Sequence, residues 1–168
     1  MNLKNETLIY VVEDNKIYNH FICENLRKLN YRNVKSFLSG KECIKRVAGG
    51  ESPNVVIQDY FLNDMKGTEV MLAVKKHSKK SEFIFLTVNV SLEEAVQSVK
   101  LGAFDYILKE KDATLKKVVD NIEEIVMFQH KQKKTKVIRI AMIASVFVLI
   151  DIVIFGILHF FYDAFGLM

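Results

Sequence analysis

Short apolar runs alternate with amphipathic stretches five times over the first 126 residues; a basic cluster and a long apolar run follow. The runs at 7–13, 33–37, 54–59, 82–87 and 104–108 are rich in Val, Ile, Leu and Phe and are bounded by polar turns. Each predicts a short strand. Their near-continuous apolarity predicts strands covered on both faces. Between them, Ile17, Phe21, Ile22, Leu26 and Leu29 recur at helical intervals, and a further helix is predicted over 68–77. Ser39 with Glu42, and Ser91 with Glu94, have the spacing of a capping box and mark two more helix starts. Leu115, Val118, Val119, Ile122, Ile125 and Val126 line one face of a fifth helix. Five strand-helix units with short links predict an α/β fold, a doubly wound five-stranded parallel sheet with helices on both sides.

In such a sheet the carboxyl ends of the strands share one edge, where ligands bind. The first strand delivers Glu13 and Asp14 to that edge, the third Asp59, the fourth Thr87 and the fifth Lys109. Three carboxylates supply hard oxygen ligands of the kind Mg²⁺ accepts, and clustering them without a cation is costly through mutual repulsion. Lys109 can offset charge on a transferred phosphoryl group, and Thr87 can hydrogen-bond one of its oxygens.

The stretches LIYVVEDN (8–15), VVIQDYFLNDMKG (55–67), FIFLTVN (83–89) and GAFDYILK (102–109) resemble the receiver domain of two-component response regulators, with a CheY-like, flavodoxin-like fold. The resemblance implies a strand order of 2-1-3-4-5. It makes Asp59 the phosphoacceptor and a metal ligand, Glu13 and Asp14 the acidic pair that holds Mg²⁺, and Phe61 the donor of a metal-binding backbone carbonyl. Thr87 becomes the switch hydroxyl, Tyr106 the switch aromatic and Lys109 the phosphoryl-contacting lysine. It implies a phosphoacceptor that catalyses its own phosphorylation and dephosphorylation, with a histidine kinase or histidine phosphotransfer protein as donor. The chain departs from the family pattern at Glu110, where a cis-proline is usual, at Asn63, often proline, and at Val88, commonly alanine. The bulk of Val88 is expected to impede inward rotation of Tyr106.

Other residue types change the picture little. Cys23 and Cys43 lack a CxxC spacing and are expected as buried, reduced thiols. Gly49-Gly50 reads as a helix stop, since no GK[ST] follows. No signal peptide is expected at the start of the chain.

Charge divides the chain. Through residue 130 there are 19 Lys+Arg against 18 Asp+Glu, and beyond it 5 against 2. The basic excess is therefore local, and nucleic-acid binding by the folded part gains no support from it. Residues 140–161 are apolar apart from Ser145, Asp151, Gly156 and His159. A helix of that length is ~33 Å, enough to cross a bilayer. Asp151 costs about 3 kcal/mol on the insertion scale, against roughly −5 to −9 kcal/mol from the Ile, Val, Leu and Phe residues, so insertion survives. Lys131, Lys133, Lys134, Lys136 and Arg139 precede this run. The positive-inside rule then keeps the receiver in the cytoplasm, and anionic headgroups suit the basic run better than nucleic acid or a solvated linker role.

These readings predict a receiver domain over 1–130, a basic juxtamembrane segment over 131–139, a single transmembrane helix over 140–161 and a short tail over 162–168. The function expected is a membrane-tethered single-domain response regulator without a separate enzymatic output domain. It signals by protein contacts to an unidentified downstream protein, with homo-oligomerisation open. Two rivals stand beside it: a pseudo-receiver that docks partners without phosphorylation, and a membrane assembly subunit acting through its Asp151-bearing helix.

Overall fold

Each predicted run forms its strand, and the strands take up a parallel register that brings their carboxyl ends level. The computed structural model describes residues 3–88, 91–110 and 113–165, with side chains through residue 160. The elements are α1 (Leu3–Glu6), β1 (Ile9–Val12), α2 (Lys16–Lys28), β2 (Val34–Phe37), α3 (Gly40–Ala48) and β3 (Val55–Asp59). They continue with α4 (Gly67–His77), β4 (Glu82–Thr87), α5 (Leu92–Lys100), β5 (Asp105–Leu108) and α6 (Ala113–Phe165). The five strands are parallel in the order β2-β1-β3-β4-β5. The short α1 was not foreseen. Thr7, read as the start of the first strand, instead closes α1, its N–H and hydroxyl both donating to Leu3 O at 3.1 and 2.7 Å.

The pleat sends alternate strand residues to two cores. On one face Ile9, Val11, Ile57, Ile84 and Ile107 pack with Ile22 and Leu26 of α2 and with Val118, Ile122 and Ile125 of α6. On the other, Tyr10, Val12, Val56, Phe83 and Phe85 meet Cys43 and Val47 of α3 and Val70, Met71 and Val74 of α4. Burial on both faces is what the unbroken apolar runs require. Each fully buried side chain of this kind stabilises the fold by about 1.5–3 kcal/mol relative to exposure.

Polar residues set the helix ends. Ser39 and Ser91 accept from the backbone N–H of Glu42 and Glu94, as the capping-box spacing predicts. Gly49 follows the last turn of α3, and Gly50 adopts φ 97°, a left-handed conformation that glycine reaches without strain. Both cysteines are buried and free.

The chain divides into two units, Met1–Met127 and Phe128–Met168. The second is helical throughout its described part, including the basic run. Residues 128–160 are exposed or half-exposed, and α6 is long and apolar enough to cross a membrane, with none of its most apolar stretch buried.

Candidate functional site

Register places the chemistry. Val12 lies beside Gln58, Asp59 beside Leu86, and Thr87 beside Leu108, so Glu13, Asp14, Asp59, Thr87 and Lys109 all emerge at one sheet edge. The Lys109 ammonium donates to Glu13 Oε2 and to Asp59 Oδ2, each at 2.7 Å. These three side chains are 9%, 4% and 13% exposed, so the pairs are shielded from bulk water. One carboxylate oxygen each from Glu13, Asp14 and Asp59 lies within 4.8 Å of the others.

Loop backbone holds the carboxylates in place. Asp14 Oδ2 accepts from Asn63 N at 2.9 Å, Asp59 Oδ1 from Phe61 N at 3.1 Å, and Glu13 Oε1 from Asn15 N at 3.3 Å. Asp64 accepts from Gly40 N and Lys41 N, both at 3.0 Å, and so ties the loop after β3 to the start of α3. Gly67 lets that loop approach the strand closely: a Cβ there would stand 2.7 Å from Phe85 Cε1 and 2.8 Å from Asp59 O.

Burial pushes the Glu13 carboxyl above its ordinary range, and the Lys109 ammonium opposes this only in part. For Lys109, burial favours the neutral amine, but the hydrogen bonds to Asp59 and Glu13 outweigh it and hold the ammonium charged. One ammonium, bonded to two of three clustered carboxylates, leaves negative charge in excess. The donor set is one of hard oxygens, and its chemistry fits a divalent cation such as Mg²⁺.

The remaining predicted residues lie close by. Thr87 is fully buried, and the Tyr106 ring packs edge-on to Tyr60, with centroids 5.5 Å apart, and near Phe85. The Tyr106 hydroxyl is buried beside Thr87 without closing a hydrogen bond of ordinary geometry, and desolvation raises its pKa. Phe61 is half exposed, its ring set edge-on to Tyr60. Val88 is 67% exposed, and the aromatic packing around Tyr106 comes from Tyr60 and Phe85.

Two residues at this edge escaped sequence reasoning. The Tyr18 ring lies 4.8 Å from Lys109 Nζ, and the Thr114 hydroxyl bonds the backbone on both sides of Lys109. Tyr18 lies in the first turn of α2, which begins just after the acidic pair, and that is the signal that could have found it; Thr114 carries none.

Residues 9–123 match the family of the response regulator receiver domain. The chain belongs to that family. The regulatory protein LuxO of Vibrio cholerae is 31% identical over 83 residues, which make up 49% of this chain and 18% of LuxO. A histidine kinase, P4 of Formosa agariphila, is 31% identical over 125 residues, 70% of this chain and 9% of the kinase. The chain thus spans less than a fifth of either relative. Among solved structures, a CheY-like receiver domain protein from Methanospirillum hungatei superposes with a TM-score of 0.64 at 26% identity, covering 75% of this chain and 98% of that one.

Proposed function

We propose that the protein is a membrane-tethered response regulator in which Asp59 accepts a phosphoryl group from a phosphohistidine on a histidine kinase or phosphotransfer protein. The observation that carries this reading is the Lys109 ammonium 2.7 Å from both Asp59 and Glu13, inside a cluster of three carboxylates within 4.8 Å. In the transfer an Asp59 oxygen bonds to phosphorus as the bond from phosphorus to the imidazole nitrogen breaks. The donor histidine keeps the electron pair and takes up a proton. Glu13, Asp14, Asp59 and the Phe61 carbonyl would hold Mg²⁺, which when bound supplies charge neutralisation for the phosphoryl oxygens. Lys109 exchanges a carboxylate contact for a phosphoryl oxygen, and the Thr87 hydroxyl donates to another. Tyr106 follows Thr87, which biases the α5–β5–α6 face between two conformations read by a downstream protein or a second copy. The domain catalyses both its phosphorylation and the hydrolysis that resets it.

We assign residues 1–130 to the receiver, 131–139 to a basic juxtamembrane segment, 140–161 to a transmembrane helix and 162–168 to the tail. Five basic residues, Lys131, Lys133, Lys134, Lys136 and Arg139, precede the apolar run. At about 3.6 residues per turn they fall on all sides of a helix, which suits a collar of anionic headgroups better than a one-sided contact. The same charge bias orients the receiver to the cytoplasm.

The test is incubation of the full chain in detergent micelles with Mg²⁺ and acetyl phosphate, followed by intact-mass measurement. One added phosphoryl group, absent in Asp59→Asn, supports the reading. An unmodified wild type overturns it and leaves the pseudo-receiver docking module.

A further inference from the structure

Lysine has four rotatable side-chain bonds and loses much conformational entropy when its ammonium is held at two partners. The backbone that carries Lys109 must therefore be held firmly. Proline would fix φ at the next position, but Glu110 stands there and leaves it free. The structure supplies other restraints. Lys109 N donates to Thr87 O at 2.7 Å. The Thr114 hydroxyl accepts from Glu110 N at 2.6 Å and lies within donating distance of Leu108 O, at 3.0 Å, and Glu110 O, at 2.6 Å. Carrying one proton, it donates to one carbonyl at a time while accepting from the amide. The hydroxyl of Thr114, a residue 3% exposed, thus ties down the residues on either side of the lysine.

The side chain has its own guide. The Tyr18 ring stands 4.8 Å from Lys109 Nζ, within cation–π range. That ring is held in turn: Tyr18 N donates to the Asn15 side chain at 3.1 Å, capping α2, and the ring leans on Phe21 with centroids 6.0 Å apart. Tyr18, Thr114, Lys109 and Glu110 line the same surface depression.

We infer that Thr114 and Tyr18 are positioning residues that together aim Lys109 at Asp59, Thr114 by clamping the loop and Tyr18 by guiding the ammonium. This inference rests on the proposed role of Lys109 in phosphoryl transfer to Asp59.

The test uses the full chain in detergent micelles, with Thr114→Val, Thr114→Ser, Tyr18→Leu and Tyr18→Phe. The decisive readout is the ¹H–¹⁵N signal of the Lys109 ammonium, assigned with Lys109→Arg, because hydrogen bonds to two carboxylates slow its exchange. Thr114→Val and Tyr18→Leu each abolish that signal, and Thr114→Ser and Tyr18→Phe restore it. The initial rate of Asp59 labelling by acetyl phosphate falls roughly 10- to 100-fold in the first pair and recovers in the second. Mg²⁺ titration, followed by tyrosine fluorescence, stays intact in all four and separates misaiming from unfolding. Because the two positions lie on different helices, one pair still decides the matter if a variant of the other unfolds. A Lys109 signal that persists in folded Thr114→Val or Tyr18→Leu overturns the inference, as does failure of the conservative variants to restore it. If the wild type is not labelled, the proposed function falls, while the ammonium signal still decides whether these two residues hold the lysine.

Discussion

Lys109 Nζ and Asp59 Oδ2 lie 2.7 Å apart at a largely shielded sheet edge, so the lysine has a partner in the unmodified domain. Lys109→Ala leaves Glu13 and Asp59 facing each other without that cation. We expect a loss of about 2 kcal/mol in urea unfolding with EDTA present, below the range for removing one partner of a fully buried pair. Saturating Mg²⁺ recovers most of it, because a divalent cation replaces the missing positive charge. Equal sensitivity with and without Mg²⁺ would mean that the lysine acts through packing alone.

Tyr106 buries a hydroxyl that has no well-formed hydrogen bond. Tyr106→Phe removes a desolvated polar atom while keeping the ring against Tyr60 and Phe85, so its stability equals or exceeds that of the wild type by up to about 1 kcal/mol. Val88→Ala, at an exposed position, changes stability by less than about 0.5 kcal/mol. Urea midpoints check both, and a clear destabilisation of Tyr106→Phe would show that the hydroxyl is bonded in solution.

Gly67→Ala forces a Cβ to within 2.7 Å of Phe85 Cε1 and 2.8 Å of Asp59 O. Overpacking of this kind costs about 1–3 kcal/mol. Because one of the displaced atoms belongs to Asp59, labelling by acetyl phosphate should slow as well. Thermal unfolding and the labelling rate are read on the same preparation, and a stable variant with normal labelling would show that the loop yields freely.

Burial pushes the Cys43 thiol from 9.0 up to about 12. The folded state therefore holds this proton more tightly than the unfolded state does. The resulting stability is fully present below pH 9.0 and is lost as pH rises towards about 12. Cys43→Ala should flatten the decline in that window while lowering stability at neutral pH through lost packing. Urea titrations across the window measure it, and parallel curves for the two proteins would refute the assignment.

The tail should hold the protein in the membrane fraction through salt and carbonate washes, since apolar burial is insensitive to both. A chain ending at residue 130 should be released without loss of Asp59 labelling. Asp151→Leu should strengthen bilayer partitioning and weaken assembly with a second copy or a partner helix, because an intramembrane carboxylate is held facing a partner. Crosslinking in native membranes reads this directly: equal yields for both forms leave Asp151 a passenger.

Periodicity was enough to determine the strands, the helix caps at Ser39 and Ser91, the parallel sheet and the set Glu13, Asp14, Asp59, Thr87 and Lys109. Apolar spacing reports which face of an element is buried, and a parallel sheet with short links brings its strand ends together whatever the details. The family motifs supplied the strand order before the structure did. Tertiary structure alone decided that Lys109 pairs with both Glu13 and Asp59, that Tyr18 lies against its ammonium, and that Thr114 closes the loop beyond it. Those contacts join residues 4 to 96 positions apart, through loops and register that leave no periodic trace. Where a side chain points at a strand end depends on the turn that follows, and that turn is set by contacts made across the sheet edge.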